Sequence, residues 1–216
     1  MISEEIASLE EYIEAHTSPE PEHLYRLWRR SHLATVHGRM ASGHVQGRLL
    51  KMLVQMLRPQ RVLEVGTFTA YSAVAIAEGL PEGGHLWTFE LNDELEDLAR
   101  QGIGESPYAD RITLVIGDAV TEAAQLGLTF DMVFLDGDKR SYCEAYEAVL
   151  PLVRAGGIIM ADNTLWDGHV IDPAYDREPQ TVGLRRFNDL VAADPHVEQV
   201  LLPLRDGLTL IRVKEL

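Results

Sequence analysis

The sequence predicts an α/β protein in which helices come first, a mainly parallel and doubly wound sheet follows, and an antiparallel hairpin ends the chain. Three observations favour this architecture. The first 60 residues carry apolar residues at helical spacing, and from Arg61 short apolar runs alternate with helical segments. Strands separated by helices of that length are typical of parallel sheets. The last two apolar runs, "VEQVLLPL" and "GLTLIRV", are joined only by Arg205 and Asp206, which predicts a hairpin.

Residues 1–60 are predicted to form a helical extension, and residues 61–216 the sheet domain. Apolar residues stand at helical spacing in the segment "EEIASLEEYIEA", which contains Ile6, and in the segment "VQGRLLKMLVQML". Pro59 ends the helix of the latter segment, which is the third along the chain. Another helix between them should contain Leu24, Leu27 and Trp28. The extension is expected to cover a substrate or to form a dimer contact.

Five strands are predicted from Arg61 onwards, in the runs "RVLEVG", "HLWTFEL", "ITLVIGDA", "DMVFLDG" and "GGIIMAD". Together with the hairpin they make a seven-stranded sheet. Ligands of open parallel sheets bind outside the carboxyl ends of the strands, where the strand order reverses. Each of the five runs ends in or near an acidic residue. The pattern therefore predicts a polar binding site at this edge of the sheet.

Length and composition are those of a soluble protein with one good-sized core, because 216 residues leave little room for two ordinary enzyme domains. The lone cysteine, Cys143, cannot form an internal disulfide, which predicts a reducing, cytoplasmic environment. No run of 18 apolar residues occurs, and the N-terminus is acidic and periodic. We therefore expect neither a membrane span nor a signal peptide.

The formal net charge of −15 argues against nucleic acid as a partner, since binding to phosphates needs a basic surface. The charge is uneven along the chain. Between residues 21 and 61 eight basic residues face one acid, Glu22, so this segment carries +7 and the remainder −22. The segment is either a solvated helix face or a patch for an anionic substrate tail or an acidic neighbouring subunit.

The run "LEVGTFTAYSA" follows a predicted strand and opens a helix, as cofactor-binding loops do. Gly66 would let a ligand approach the backbone closely. The dinucleotide fingerprint G-x-G-x-x-G is absent, because Phe68 stands at its second glycine. Glu64 would also place a negative charge beside a pyrophosphate. This loop suits a cationic or polar cofactor.

Two further strand ends add to this half of the site. Glu90 can accept hydrogen bonds from both hydroxyls of a ribose, and Asp118 with Ala119 could frame an adenine. Glu64, Gly66, Glu90 and Asp118 then describe a nucleoside crevice without a phosphate cradle. S-adenosylmethionine is such a ligand. An NAD-linked oxidoreductase and a non-catalytic nucleoside-binding protein remain alternatives.

Four segments occur in the order "LEVGTFTAYSA", "FLDGDKRSY", "ADNTLWDG" and "LPLRDGLTLIRVK". They resemble the cation-dependent O-methyltransferase family, which includes caffeoyl-CoA and catechol O-methyltransferases and bacterial relatives. The resemblance covers roughly residues 40–214 and implies a Rossmann-like class I methyltransferase fold. It also implies cofactor contacts from Tyr71, Ser72 and Asp136. Ala70 replaces a glycine that is usual in the first motif, a change that we expect to be tolerated.

Asp136, Asp162 and Asn163 each follow or end a predicted strand, so they should meet at one edge of the sheet. Two carboxylates and an amide oxygen are hard ligands that suit Mg²⁺, Mn²⁺ or Ca²⁺. No cluster of cysteines and histidines indicates zinc. The resembled family uses the matching positions as metal ligands, which implies a divalent-cation site, with Mg²⁺ the first expectation.

Lys139 lies three residues after Asp136, where one turn could bring it beside the same ion. A phenol has a pKa near 10, so it is a poor nucleophile at neutral pH until chelation stabilises the phenolate. A partly desolvated lysine near a dication should have a lowered pKa and could accept the phenolic proton. The family's catalytic lysine matches this position. The predicted reaction is direct methyl transfer from S-adenosylmethionine to a vicinal dihydroxy aromatic.

Substrate contacts are expected from four residues. The segment "MASGHVQGRLLKML" resembles the family's entry into the fold and supplies Met40 and Ser42. Trp166 forms either a stacking wall for an aromatic ring or packing within its loop, and Asp138 either touches the substrate or is a solvated turn carboxylate. The acceptor stays open between a catechol, a caffeoyl ester or thioester, a flavonoid and another diol. The family is commonly dimeric, so we expect a homodimer.

Overall fold

The computed structural model describes residues 8–215, so the expected helical position of Ile6 lies outside the described residues. Seven strands form a single sheet in the order β3-β2-β1-β4-β5-β7-β6. The strands are β1 (Arg61–Val65), β2 (His85–Glu90), β3 (Ile112–Ile116), β4 (Phe130–Leu135), β5 (Val153–Asp162), β6 (Val197–Leu202) and β7 (Leu208–Val213).

Strands β1 to β5 pair in parallel, and β7 runs antiparallel between β5 and β6. The predicted mainly parallel sheet with a C-terminal antiparallel hairpin is confirmed. The connection in the hairpin is longer than the predicted pair Arg205 and Asp206. It spans residues 203–207, because Pro203 has no N–H to donate to the ladder and the last paired residues are Leu202 and Leu208.

Eight α-helices surround the sheet in the described part of the chain. They are α1 (Leu9–Ala15), α2 (Glu22–Ala34), α3 (His44–Leu57), α4 (Tyr71–Gly79), α5 (Glu96–Gly104), α6 (Ala119–Glu122), α7 (Tyr142–Val149) and α8 (Pro179–Ala193). Among these described helices, none has the length and apolar character needed to cross a membrane.

Two apolar clusters lie on the two faces of the sheet. In β1 the neighbours Val62 and Leu63 belong to different clusters, as the alternation of strand side chains requires. Leu24 of α2 and Leu50 of α3 are buried in the same cluster as the apolar side chains of α4. The N-terminal helices and the sheet therefore share a core on this face.

The basic segment between residues 21 and 61 is partly neutralised by acids of the same chain. Arg30 contacts Glu105 at 2.5 Å, and Arg48 forms a two-pronged pair with Glu78 at 2.5 and 2.9 Å. The second pair is almost completely buried between α3 and α4. These contacts account for part of the uneven charge without an external partner.

The strand order reverses between β1 and β4, which opens a crevice at their carboxyl ends. Gly66, directly after β1, has φ of +98°. A Cβ at this position would lie less than 3.0 Å from the Asp136 carbonyl oxygen. The glycine is therefore required by the neighbouring strand end as well as by the ligand approach that the sequence suggests.

Candidate active site

A cavity of about 770 Å³ occupies this crevice at the carboxyl edge of the sheet. Strand ends form its floor, and the segment before α3 and the loop before β7 form its rim. Every site residue that the sequence predicts lines it, except Glu64. The lining residues among them are Met40, Ser42, Gly66, Tyr71, Ser72, Glu90, Asp118, Ala119, Asp136, Asp138, Lys139, Asp162, Asn163 and Trp166.

Glu64 lies beneath the cavity and is completely buried in β1. The Thr88 hydroxyl donates to its carboxyl at 2.5 Å, and Ser72 also bonds to it. Burial is the largest influence on this group and raises its pKa to about 8. Ser72 lines the cavity and Glu64 does not, so a direct cofactor contact from Glu64 stays a prediction.

Glu90 is held with its carboxylate at the edge of the cavity. Its Oε2 accepts from the Phe68 N–H at 2.7 Å, and its Oε1 accepts from the Asn92 N–H at 2.9 Å. Each oxygen has a second lone pair, so both can still accept from ligand hydroxyls. This geometry suits the two hydroxyls of a ribose.

The next strand end extends the crevice beyond Glu90. Asp118 caps α6 by accepting from the Val120 N–H at 2.9 Å, and Ala119 begins that helix. The capping contact fixes the turn that follows β3. Since Asp118, Ala119 and Val120 all line the cavity, this turn lies where the sequence places a nucleobase.

The loop between β1 and α4 is tied to the N-terminal helices. Tyr71 donates from its hydroxyl to Glu20 at 2.6 Å, and the hydroxyls of Thr69 and Ser31 lie 2.6 Å apart. Burial and the Glu20 carboxylate raise the pKa of Tyr71, so it stays a neutral donor. The extension thus supports the loop that begins the cofactor half of the site.

Lys139 lies at the centre of the second half of the cavity and is 8% exposed. Its Nζ donates to Asp136 Oδ1 at 2.6 Å and to the Tyr142 hydroxyl at 2.9 Å. Burial alone would lower the pKa of Lys139, but the charges of Asp136 and Asp162 outweigh it and raise the pKa. The sequence predicts a lowered pKa, and the direct contact with Asp136 is the reason for the difference.

Asp162 ends β5 with both carboxylate oxygens engaged. Oδ1 accepts from the Asn163 N–H at 2.8 Å, and Oδ2 accepts from Gln46 Nε2 at 2.6 Å. Burial raises the pKa of Asp162, and the charge of Asp136 raises it further, while Lys139 and Gln46 oppose the shift. Asp162 therefore belongs to one charged group with Asp136 and Lys139.

Asn163 presents an amide next to these carboxylates. It has φ of +58°, a conformation that asparagine adopts more readily than most residues. Its Nδ2 contacts Asp206 Oδ2 at 3.4 Å, so the amide oxygen is the atom of Asn163 that could ligate a cation. Among the residues that the structure describes, no three His, Cys, Asp or Glu side chains form a metal-binding group. Two carboxylates and one amide oxygen instead fit a hard cation such as Mg²⁺.

Asp138 and Arg140, next to Lys139, form an ion pair with each other. Arg140 Nε lies 2.9 and 3.0 Å from the two carboxylate oxygens of Asp138. The backbone N–H of Arg140 also donates to Asp138 Oδ1, at 3.1 Å. The Asp138 carboxylate thus caps the turn Lys139–Ser141. It still lines the cavity, so a substrate contact stays a prediction.

The rim of the cavity contains the other predicted substrate residues. Met40 is 60% exposed, whereas Ser42 is buried. Trp166 has φ of +48°, and its backbone N–H donates to the backbone carbonyl of Asp206 at 3.0 Å. All three line the cavity, and whether Trp166 stacks on an aromatic ring stays a prediction.

Several residues that contact the predicted site residues are not identified by the sequence analysis. Gln46 and Asp206 contact the predicted metal ligands, and Tyr142 holds Lys139. Gly183 of α8 lies so close to Lys139 that a Cβ would come within 3.0 Å of the Lys139 carbonyl oxygen. Tyr142, Gln46 and Asp206 stand in segments that resemble the family, "FLDGDKRSY", "MASGHVQGRLLKML" and "LPLRDGLTLIRVK", but their contacts with the site are not visible in the sequence. Gly183 lies outside these segments.

Comparison with known proteins decides the family. A model of the O-methyltransferase family matches residues 14–214. The chain belongs to the O-methyltransferase family. Caffeoyl-CoA O-methyltransferase 1 of Eucalyptus globulus is 34% identical over 186 residues, which are 80% of this chain and 74% of that protein. Caffeoyl-CoA O-methyltransferase 1 of Zea mays is 35% identical over 187 residues, 80% of this chain and 71% of the relative.

Solved O-methyltransferases share the fold. The O-methyltransferase from Bacillus cereus in complex with SAH is 31% identical, with a TM-score of 0.86 over 94% of this chain and 96% of that one. TomG from Streptomyces achromogenes, involved in tomaymycin synthesis and solved with SAM, is 29% identical, with a TM-score of 0.87 over 94% and 95%. The chain is thus an S-adenosylmethionine-dependent O-methyltransferase, and the NAD-linked and non-catalytic alternatives are set aside.

Proposed function

We propose that this O-methyltransferase is divalent-metal-dependent and methylates one hydroxyl of a vicinal dihydroxy aromatic molecule. The observation that carries the proposal is that Asp136, Asp162 and Asn163 line one cavity with the buried Lys139, whose charge both carboxylates stabilise. A pure nucleoside-binding protein has no use for a buried lysine and a buried carboxylate beside the partly buried Asp136, because burying charges costs free energy. The caffeoyl-CoA O-methyltransferases among the relatives support an aromatic diol acceptor.

The residues of the cavity divide between the two reactants. Glu90 and Asp118 would hold the nucleoside of S-adenosylmethionine, whose sulfonium supplies the methyl group. Asp136, Asp162 and the Asn163 oxygen would hold the cation, which when bound lowers the pKa of a chelated hydroxyl.

Lys139 would receive the proton of the reacting hydroxyl. Its contact with Asp136 keeps it charged in this structure, so the contact must weaken before it can act as a base. Sharing the Asp136 carboxylate with a dication would remove part of the attraction that raises the Lys139 pKa. Tyr142, at 2.9 Å from Nζ, would keep the amine in place.

The test is a panel of catechols incubated with S-adenosylmethionine and Mg²⁺, with methylated products identified by mass spectrometry. We expect methylation of diols, loss of activity with EDTA, and loss in Asp162→Asn. Asp131→Asn is a matched control, because Asp131 lies in the same sheet but pairs with Arg154 away from the cavity. Full activity without metal would contradict the proposed metal role. Methylation of monohydroxy analogues at the same rate as the diols would contradict the proposed diol acceptor.

We further propose a homodimer. Helix α1 has no buried residue, and its Leu9 is 75% exposed. Met52 and Met56 on the adjacent α3 are 54% and 67% exposed. Such a group of exposed apolar residues is typical of a contact surface. Light scattering should give twice the mass of the chain, and a single species at the chain mass would contradict the dimer.

A further inference from the structure

We propose that Gln46 and Arg205 act together as positioning residues that set the orientation of the Asp162 carboxylate for the cation. The inference rests on the proposed metal dependence. Gln46 lies in α3, is 1% exposed, and donates to Asp162 Oδ2 at 2.6 Å. Arg205 lies in the loop before β7 and donates from Nη1 to Gln46 Oε1 at 2.5 Å. Three segments far apart in sequence therefore meet in one chain of hydrogen bonds.

The chemistry of its two neighbours fixes the orientation of the Gln46 amide. An arginine guanidinium can only donate, so it must face the amide oxygen. An ionised carboxylate can only accept, so it must face the amide nitrogen. A reversed amide would place oxygen against Asp162 and nitrogen against Arg205, and both contacts would become repulsive. Arg205 thus acts on Asp162 through Gln46.

Arg205 is itself anchored at a second point. Its Nη1 also donates to the Ser42 carbonyl oxygen, in the segment that begins the rim of the cavity. The residue has φ of +47°, so the backbone of this loop is held in a left-handed conformation. Replacing Arg205 with another non-glycine residue keeps the same backbone cost, which makes side-chain substitutions at this position comparable.

Both Asp162 oxygens are then restrained before any cation binds. Oδ1 is held by the Asn163 N–H and Oδ2 by Gln46, which leaves one lone pair on each oxygen. A carboxylate whose rotamer is set in advance loses less conformational freedom when it binds a metal. Without Gln46 the buried Oδ2 could turn towards the Lys139 ammonium and away from the position it takes in the structure.

The experiment measures Mn²⁺ affinity directly, by electron paramagnetic resonance titration of the full-length protein with S-adenosylhomocysteine present. Gln46→Met, which keeps the length but removes both hydrogen bonds, should weaken binding by roughly 10-fold or more. Arg205→Met should weaken it in the same direction, and Arg205→Lys, which keeps a donor, should lose less. The double variant should bind no more weakly than Gln46→Met, because Arg205 acts through Gln46.

Arg48→Met is the matched control. Arg48 lies in the same helix and is also buried, but it pairs with Glu78 and not with the site. Its loss should lower stability and leave Mn²⁺ affinity unchanged, and circular dichroism confirms that each variant is folded at the titration temperature. If Gln46→Met binds Mn²⁺ with wild-type affinity, or if the losses add in the double variant, the positioning role is overturned. The proposed metal dependence is unaffected by either result. No Mn²⁺ binding by the wild type overturns the metal dependence and the inference with it.

Discussion

The Nζ of Lys139 lies 2.6 Å from Oδ1 of Asp136, so the proposed base and a proposed metal ligand are in direct contact. The two residues are three positions apart, and the Asp138 carboxylate caps the turn Lys139–Ser141 that begins with the lysine. Because Lys139 is buried, this contact also offsets the cost of placing its charge inside the protein.

Replacing Lys139 with methionine should lower kcat at pH 7 by about 10²–10⁴-fold, the usual contribution of a positioned acid or base. The deficit should narrow as pH approaches 10, because a free phenol then ionises without help. A pH profile of kcat measures this, with Lys214→Met as a control, since the Lys214 ammonium donates to the Pro195 carbonyl and neither residue lines the cavity. Wild-type kcat in Lys139→Met at pH 7 would show that Lys139 is not the base.

Substituting Gly183 with alanine should displace the turn that carries Lys139. The new Cβ would lie less than 3.0 Å from the Lys139 carbonyl oxygen, so backbone must move. We expect a loss of about 1–3 kcal/mol in unfolding free energy, as for other overpacked sites, together with a lower kcat. Gly104→Ala is the matched control, because a Cβ in α5 would meet nothing within 4 Å. Equal stability and kcat in both variants would refute the close-packing argument.

Stability should depend on pH through Glu64. Its folded-state pKa is raised to about 8, so its stabilising contribution is complete below the ordinary value of 4.5 and is lost as pH rises to 8. A tenfold change in proton affinity corresponds to about 1.4 kcal/mol, so the loss amounts to a few kcal/mol at most. The melting temperature of Glu64→Gln relative to wild type should therefore rise between pH 5 and pH 8.5. Exposed Glu82→Gln should show no such trend, and a pH-independent difference for Glu64→Gln would argue against the raised pKa.

Ala70→Gly should stabilise the protein or leave it unchanged. Ala70 caps α4 with φ of +74°, which costs a non-glycine residue about 1–2 kcal/mol. Glycine removes this cost but loses more backbone entropy on folding, which costs about 0.5–1 kcal/mol, so the net gain in stability is between zero and about 1.5 kcal/mol. Thermal unfolding measures the difference, and Ala73→Gly inside α4 should destabilise. Destabilisation by Ala70→Gly would show that the Cβ packing outweighs the strain.

Much of this protein could be predicted because its signals are local. Apolar periodicity predicts the seven strands and the helices between them, and each predicted polar strand end lines the cavity except Glu64. Glu64 differs because its carboxyl is completely buried against Thr88 and Ser72, and the motif alone does not show how far inside the strand end it lies.

By itself the sequence determined the architecture, the family and the oxygen-rich group of Asp136, Asp162 and Asn163. These follow from the order of segments along the chain and from residues next to strand ends. Only the tertiary structure decided the contacts of Gln46 and Arg205 with that group, and the raised pKa of Lys139. The contacts of Gln46 join segments more than 100 residues apart in the chain, and no periodicity or spacing in a sequence encodes such distances. The pKa of Lys139 depends on the distance of its ammonium from the Asp136 carboxylate, which a spacing of three residues does not fix.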